Sequence, residues 1–506
     1  MKTVLGVQGL VRLSLVLGGA ALVSGMITGY SSRSNRVPVN IPKLKWKGTI
    51  TMYAQTYTPS VPGVKLAPGS PKLSAFENVA KAFEKLYPGI HIRFVNPPAM
   101  SSNDIQAVEV DAAGGRLPDV LWGQYIDFNT VWPKGIVANL DPYFNQPDPY
   151  IPGNKLWKSV MNKRVLAQTV APSGAHYIVD GDWVGTAFYY NKSLFHRAGI
   201  SSPPKSWAQI IADAKILKSH RITPGADIPY YSWWSRLFLG NDLGARTVAE
   251  LEHYSKSKDA VTALGEVIGY KKGIFNPSTN PRIMAWWPLV RQLYRYWNVD
   301  VTDIPVLNQP SGVQNGQKLF AAGKVAMVYQ GSWMPNEAKV AGAKFAIGSF
   351  QFPAGSLSKA FKYGTSINSS ADVGGPSAAF QYAIATQRAD HSMSPAKFQA
   401  VLDWVRFFST PTMDQKIVNQ LGEFVPTFKG AKALKEERGA ALPKGAKYAS
   451  IFGFSDLSAE AHTRIFDLFQ EYVSGHLSFA AAKQQYDAVV QQAVQQYIVT
   501  NHPRIP

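Results

Sequence analysis

Nine histidines and 33 acidic residues are among the groups in this chain that could move protons. No two histidines stand at the i, i+4 spacing of a helical metal site, and the P-loop, HExxH and GxSxG patterns are absent. His196 sits in an amphipathic segment and reads as a surface histidine. A glycosidase-type carboxylate pair is drawn from distant strands, so a linear sequence neither reveals nor excludes one. There is no cysteine, which removes disulfides, thiolate metal sites and a cysteine nucleophile together. Aromatic surface, by contrast, is abundant: 13 Trp, 23 Tyr and 25 Phe. Some rings in such a set line ligand sites, although most pack cores. The chemistry to expect is binding rather than turnover, with no cofactor and no metal.

The elements that must position these side chains follow from periodicity. "GTITMYAQ" alternates Ile50 and Met52 against polar neighbours, as a strand does. "SAFENVAKAFEKLYPG" then places Phe76, Val79, Ala80 and Phe83 on one helical face, with Ser74 and Glu77 as a capping box and Pro88-Gly89 as the stop. "IHIRFV" alternates again, and this β-α-β order favours parallel strands with a crossover helix. A helix ending at Gly114-Gly115 precedes the short apolar strand in "DVLWG". "PKSWAQIIADAKIL" opens a helix capped through Ser206 and Gln209, and "SPAKFQAVLDWVRFFS" starts one at Pro395 with Val401, Leu402, Val405 and Phe408 inward. "MAWWPLVRQLYRYW" reads as a helix burying its aromatics, and "SFAAAKQQYDAVVQQAVQQYIV" as a last amphipathic helix. With 506 residues, 46% of them hydrophobic, the fold class is α/β and the length suits two large lobes.

Charge adds a constraint on partners. The chain carries a formal +19; residues 1–47 hold seven basic residues and no acid, leaving +12 for the rest. No tight Lys/Arg run and no nucleic-acid motif accompanies this excess, so nucleic acid is not an expected partner and a diffuse positive surface facing an anionic envelope is. Lys2 and Arg12 precede "LSLVLGGAALVSGMITGY", which has no charge and has the make-up of an export signal or N-terminal anchor. "SSRSNRVPVNIPKLK" after it reads as a tether. "ITGY" resembles a bacterial lipobox with Tyr30 where the lipid-bearing cysteine would stand, so lipidation by that route is closed.

Seven segments, in order, carry a resemblance: "FENVAKAFEKLYPGIHIRFV", "AAGGRLPDVLWG", "FYYNKSLFHRAGI" with "PPKSWAQI", "LFAAGKVAMVYQGSWM", "VGGPSAAFQYAIA", "VLDWVRFFSTPTMDQ" and "GEFVPT". Together they are similar to the extracellular solute-binding proteins of carbohydrate ABC transporters, the family of maltose-binding protein. The resemblance implies a two-lobed periplasmic-binding-protein-like fold with a hinge and an interlobe cleft. It divides the chain into an export signal or anchor (1–30), a tether (31–46), lobe one (47–183 plus 376–423) and lobe two (184–375 plus 424–506). The crossings would fall near Asp182–Gly185, Gly374–Pro376 and Glu423–Pro426. A sugar or oligosaccharide would bind in the cleft. Closure would present the protein to ABC permease transmembrane subunits with their ATPase, outside the cell membrane or in the periplasm, with membrane contact through an uncleaved N-terminal segment. A non-sugar or anionic solute, and more remotely an exported polysaccharide-acting enzyme, are the alternatives.

A sugar ring presents an apolar face to aromatic rings and a hydroxyl edge to amides and carboxylates. On that basis Trp122, which follows a lobe-one strand and matches a family position for a ligand aromatic, is a candidate, with Gln124 and Asp127 in the same loop as hydroxyl partners. Tyr53 and Gln55 end the first strand in another family binding loop. Asp182 and Trp183 pair a carboxylate with a ring at the first crossing. In "QGSWM" Trp333 is the family's glycine-preceded tryptophan, and Gly331 would let backbone approach the ligand. Trp234 in "YYSWWSR" and Glu423 before the late crossing complete the set.

Overall fold

A computed structural model describes residues 41–64, 71–97, 105–125, 135–171, 173–227, 231–256, 261–297, 311–350, 374–376, 379–434 and 451–505. The expected export signal, most of the tether, and Asp127 lie outside these residues.

Eleven strands are described: β1 (Gly48–Met52), β2 (Ile90–Phe94), β3 (Val120–Trp122), β4 (Val179–Asp180), β5 (Asp182–Asn191), β6 (Thr223–Gly225), β7 (Val325–Gly331), β8 (Ile347–Phe350), β9 (Gly374–Pro376), β10 (Gln381–Ile384) and β11 (Val425–Pro426). They form two sheets. The first runs β2-β1-β3-β10-β4; the second runs β11-β5-β7-β6, with β8 and β9 also paired to β5. β1 pairs parallel with both β2 and β3, as expected when a helix returns the chain to the same sheet edge. β10 enters antiparallel, from far along the sequence, between β3 and β4.

The helices α1 (Ala75–Leu86), α2 (Ile105–Ala113), α3 (Asp141–Phe144), α4 (Lys163–Thr169), α5 (Lys192–Arg197), α6 (Trp207–Ser219), α7 (Tyr231–Tyr254), α8 (Ala263–Lys271), α9 (Trp287–Tyr294), α10 (Ser311–Ala321), α11 (Met334–Val340), α12 (Pro395–Phe408), α13 (Pro411–Leu421), α14 (Ala459–Ser474) and α15 (Phe479–Asn501) cover the sheets. α1 buries Phe76, Val79, Ala80 and Phe83 as its periodicity requires. α7 is broken at Gly244, whose φ of 80° no helix interior adopts. None of the helices among the described residues is long and apolar enough to cross a membrane.

One local expectation fails. Ser74 makes no side-chain cap to α1. Gln420 of α13 reaches across instead: its Oε1 accepts from the Ser74 and Ala75 amides at 3.0 and 2.7 Å, and its Nε2 donates to Ser74 Oγ. Glu77, freed from the cap, pairs with Lys81. A tertiary donor–acceptor set has displaced the local one.

Two large hydrophobic clusters accompany the two sheets. One gathers Ile50, Val120, Tyr382, Trp404 and Phe408. The other gathers Phe188, Trp207, Trp234, Trp286, Phe469 and Tyr486, the last two from the C-terminal helices α14 and α15. This is the two-lobed α/β architecture, with the segments between sheets lying side by side. β11 and β9 both pair antiparallel with β5, at Val425↔Trp183 and Trp183↔Pro376. Gly181 is the pivot between β4 and β5. A Cβ there would overlap Asp414 and Phe380, so only glycine fits.

Candidate ligand site

The connection at Gly181 is held by buried carboxylates. Asp182 is wholly buried; its Oδ2 accepts from the Tyr57 hydroxyl at 2.6 Å and its Oδ1 from the Phe380 amide at 3.2 Å. Asp180 Oδ2 accepts from Gln381 Nε2 at 2.7 Å, and Gln381 Oε1 in turn accepts from the Tyr125 amide at 2.6 Å. Burial, then the neighbouring Asp182 charge, raises the carboxyls of Asp180 and Asp414 and the Tyr57 hydroxyl well above their ordinary range. Asp182 therefore spends its visible bonds on the first core. Trp183 is also wholly buried, in a small cluster with Val165 and Val425.

Trp333, at the start of α11, leans the other way. It is half-buried and packs against the cluster of the first sheet, its ring 6.1 Å from that of Phe424. Gly331 makes this possible, because a Cβ there would overlap the indole. Gln317, oriented by its neighbours, accepts from Trp333 Nε1 at 2.9 Å and donates to Glu337 Oε2 at 2.8 Å. Glu423 is pinned beside them: Asn336 Nδ2 donates to its Oε1 at 2.7 Å and Ser332 Oγ donates to its carbonyl. Thus Gly331, Trp333 and Glu423 come together.

Tyr53 and Trp122 form a separate pair, edge to face with centroids 6.0 Å apart, and both are buried. Gln124 follows on the β3 loop and is partly buried. Gln55 adopts φ 47°, its Oε1 accepting from the Thr56 amide. Trp234 stands apart from all of these. It is 1% exposed and stacks on Tyr329 with centroids 4.7 Å apart, inside the second core.

A cavity of about 370 Å³ lies between the two cores, within the size range of small-molecule sites. From the first come Tyr125, Ala167, Gln168, Val170, Ala171, Ser173 and Gly174; from the second, Ser255, Lys256, Val261 and Thr262 with the start of α8, Phe452 and Asp456. Gln168, on the α4 helix capped by Asn162, is 5% exposed, and neither end of its amide is bonded among the described residues. Asp456 Oδ1 and the Nε of Arg236 are likewise buried and unbonded there. A buried amide without partners costs about 1–3 kcal/mol, so this wall favours a solute that brings donors and acceptors. The Arg236 guanidinium stacks on Phe452, its carbon 4.3 Å from the ring centroid. Burial pushes the Tyr125 hydroxyl up to about 12, against the lowering effect of Arg236. Burial pushes Asp456 up to about 7, again opposed by Arg236.

Tyr125, Gln168, Arg236, Phe452 and Asp456 were not among the sequence candidates. Tyr125 is adjacent to Gln124 and Arg236 closes "YYSWWSR", so two of the five border stretches that the sequence singles out. Gln168 and the 452–456 segment carry no local signal. No cluster of three or more His, Cys, Asp or Glu able to hold a metal ion occurs among the described residues.

The profile of the family described as bacterial extracellular solute-binding protein matches residues 67–450. A protein of Brucella abortus (strain 2308) described as a binding protein is 26% identical over 307 residues, 57% of this chain and 62% of that one. An ABC transporter extracellular-binding protein of Pyrococcus horikoshii is 24% identical over 273 residues, 52% of this chain and 54% of its own length. The matches thus span less than two thirds of these relatives. Among solved structures, UgpB of Mycobacterium tuberculosis in complex with glycerophosphocholine superposes with a TM-score of 0.59 at 16% identity, covering 90% of this chain and 100% of that one. A chitin oligosaccharide binding protein gives 0.56 at 18%, covering 89% and 99%. RafE in complex with raffinose gives 0.53 at 17%, covering 88% and 100%.

Proposed function

This chain belongs to the bacterial extracellular solute-binding protein family, and on that premise we propose that it is the substrate-binding component of an ABC importer. It captures a sugar or oligosaccharide in the interlobe cleft and delivers it, without turnover, to the permease transmembrane subunits and their ATPase. The lobes are 47–183 plus 376–423 and 184–375 plus 424–506, carried outside the cell membrane on an N-terminal export signal or anchor that also gives it a membrane contact. The observation that carries the ligand reading is the interlobe cavity walled by Tyr125 and Phe452, where the Gln168 amide and an Asp456 oxygen are buried without partners. Rings that cover an apolar face beside amide and carboxylate groups that bond hydroxyls are the complement of a sugar. Trp122, Tyr53, Gln124 and Gln55 on the first lobe, and Trp333, Gly331 and Glu423 toward the hinge, stand outside the lining of that cavity and are proposed as further ligand contacts. Asp182, Trp183 and Trp234 support these walls from within the cores.

Two neighbouring structures hold raffinose and a chitin oligosaccharide binder's fold, which accords with a saccharide ligand. A second reading rests on charge. Among the described residues the cavity lining carries a cation, Lys256, and an anion, Asp456, a pairing that a zwitterionic solute such as the glycerophosphocholine in another neighbour would also match. Titration calorimetry separates the two. Saturable binding of raffinose, maltotriose or chitotriose with no new products on prolonged incubation supports the first reading. Binding of glycerophosphocholine alone replaces it with the second, and multiple turnovers remove both.

A further inference from the structure

The cavity wall formed by residues 452–456 is not a regular element, and its backbone is unfavourable on its own. Gly453 and Phe454 both lie in the left-handed region, at φ 63° and 69°. For a residue as bulky as Phe454 this conformation is rare and unfavourable. Glycine is required at 453 for a second reason, since a Cβ there would overlap the Tyr231 hydroxyl.

One side chain holds this backbone in place. Glu266, on α8 and wholly buried, accepts from the amides of Phe452 at 3.2 Å and Gly453 at 3.0 Å through Oε1, and from Phe454 through Oε2. Three successive backbone donors converge on a single carboxylate. The carbonyl of Gly453 is fixed on the opposite side by the hydroxyls of Tyr231 at 3.2 Å and Tyr486 at 2.9 Å. The outcome is that Phe452 faces the cavity with Arg236 on its ring, Phe454 turns inward to stack on Phe275 at 4.6 Å, and Asp456 is presented to the cavity. The N-terminal end of the same helix supplies Thr262, Ala263 and Leu264 to the cavity lining. A single helix thus contributes one wall directly and holds another through Glu266.

We propose that Glu266 is the positioning residue of the ligand site: it ties the strained 452–456 segment to α8, so that the two second-lobe walls of the cavity are set, and move, as one body. This rests on the cavity being the ligand site, as proposed above. Its side chain does not line the cavity, so it acts through Phe452 and Asp456 rather than by touching the solute.

The test uses the full chain and three variants. Glu266→Gln keeps one acceptor but sets an NH2 against backbone donors; Glu266→Ala removes the clamp; Leu217→Ala, in the second core but not in the cavity lining, is a control for general destabilisation. Hydrogen exchange without ligand is expected to show the amides of 452–454 exchanging at least tenfold faster in Glu266→Gln, and faster still in Glu266→Ala together with 262–264. Leu217→Ala should leave the ratio of these segments to α14 unchanged. Titration with raffinose, maltotriose and chitotriose should show the dissociation constant of the best-bound trisaccharide rising tenfold or more in Glu266→Ala, less in Glu266→Gln, and under twofold in Leu217→Ala. Unchanged exchange at 452–454 in both Glu266 variants, or an equal loss of affinity in the control, overturns the proposal. If the wild-type chain binds none of the three sugars, the saccharide reading fails, and the exchange comparison still decides whether Glu266 holds the two walls together.

Discussion

The Tyr57 hydroxyl donates to Asp182 Oδ2 at 2.6 Å, joining the turn after β1 to the strand that leaves the first sheet. Both groups are buried, and the charge of Asp182, after burial itself, raises the Tyr57 hydroxyl well above its ordinary range. The bond therefore anchors the hinge strand to the first lobe. Tyr57→Phe removes it while keeping the ring contacts with Phe380 and Phe424. A hydrogen bond to a charged group contributes about 1.5–3 kcal/mol, and a loss of that size is expected in equilibrium urea unfolding. A change below about 0.5 kcal/mol would mean that the remaining partners of Asp182 suffice.

Gly331 and Trp333 should behave as one unit. Trp333→Ala removes a ring that spans from α11 to Phe424, and the expected loss of saccharide affinity is about 1–3 kcal/mol. Gly331→Ala places a methyl where the indole lies, so it should give part of that loss by turning the ring away. The double variant should bind no more weakly than Trp333→Ala alone, because the methyl has nothing left to displace. Calorimetric titration of the four proteins reads the cycle; additive losses would show that the two positions act separately.

Elements whose signal is local were legible in the sequence. β1, α1 and the β5–α5 passage follow from alternation, from a 3.6-residue apolar repeat, and from Asn191, whose side chain accepts from the Ser193 and Leu194 amides. The Ser74 cap was not, because its competitor Gln420 lies 346 residues away. The same physics limits the site. Trp122 and Trp333 could be singled out by the motifs around them. Nothing in "WW" distinguishes a ring that stacks on Tyr329 in a core from one facing a cleft. Gln168 and Asp456 are ordinary polar residues until folding brings them to one cavity and leaves the Gln168 amide and one Asp456 oxygen buried and unbonded among the described residues.

Asp242 offers a pH-dependent stability effect away from the cavity. It is wholly buried with neither carboxylate oxygen bonded among the described residues, and burial pushes it up to about 8 despite Arg282 nearby. A carboxyl with a raised folded-state pKa gives stability that is complete below the unfolded value of 3.8 and is lost as pH rises toward 8. Asp242→Asn cannot ionise, so it should raise the melting temperature strongly at pH 8.5 and less at pH 5, where only part of that stability has been lost. Equal shifts at both pH values would exclude ionisation of Asp242 as the cause.

Asp456 should make ligand capture respond to pH in the sense opposite to stability. Burial pushes it up to about 7, while a backbone hydrogen bond and the Arg236 guanidinium favour its ionised form; its charge in turn raises Glu266 on α8, Tyr231 on α7 and Tyr497 on α15. Its raised pKa means that acidification from 8 toward 5 protonates it and stabilises the unliganded fold. As the acceptor for ligand hydroxyls, however, it serves best when ionised, since charge-assisted hydrogen bonds are roughly twice as strong as neutral ones. Acidification should therefore raise the melting temperature of the free protein while reducing the further rise produced by a saturating saccharide. Asp456→Asn should bind more weakly at pH 8 and lose the pH dependence of that ligand-induced rise. Thermal melts at pH 5, 6.5 and 8, with and without ligand, separate the two effects. A ligand-induced rise that is independent of pH in the wild-type chain would remove Asp456 from contact with the solute.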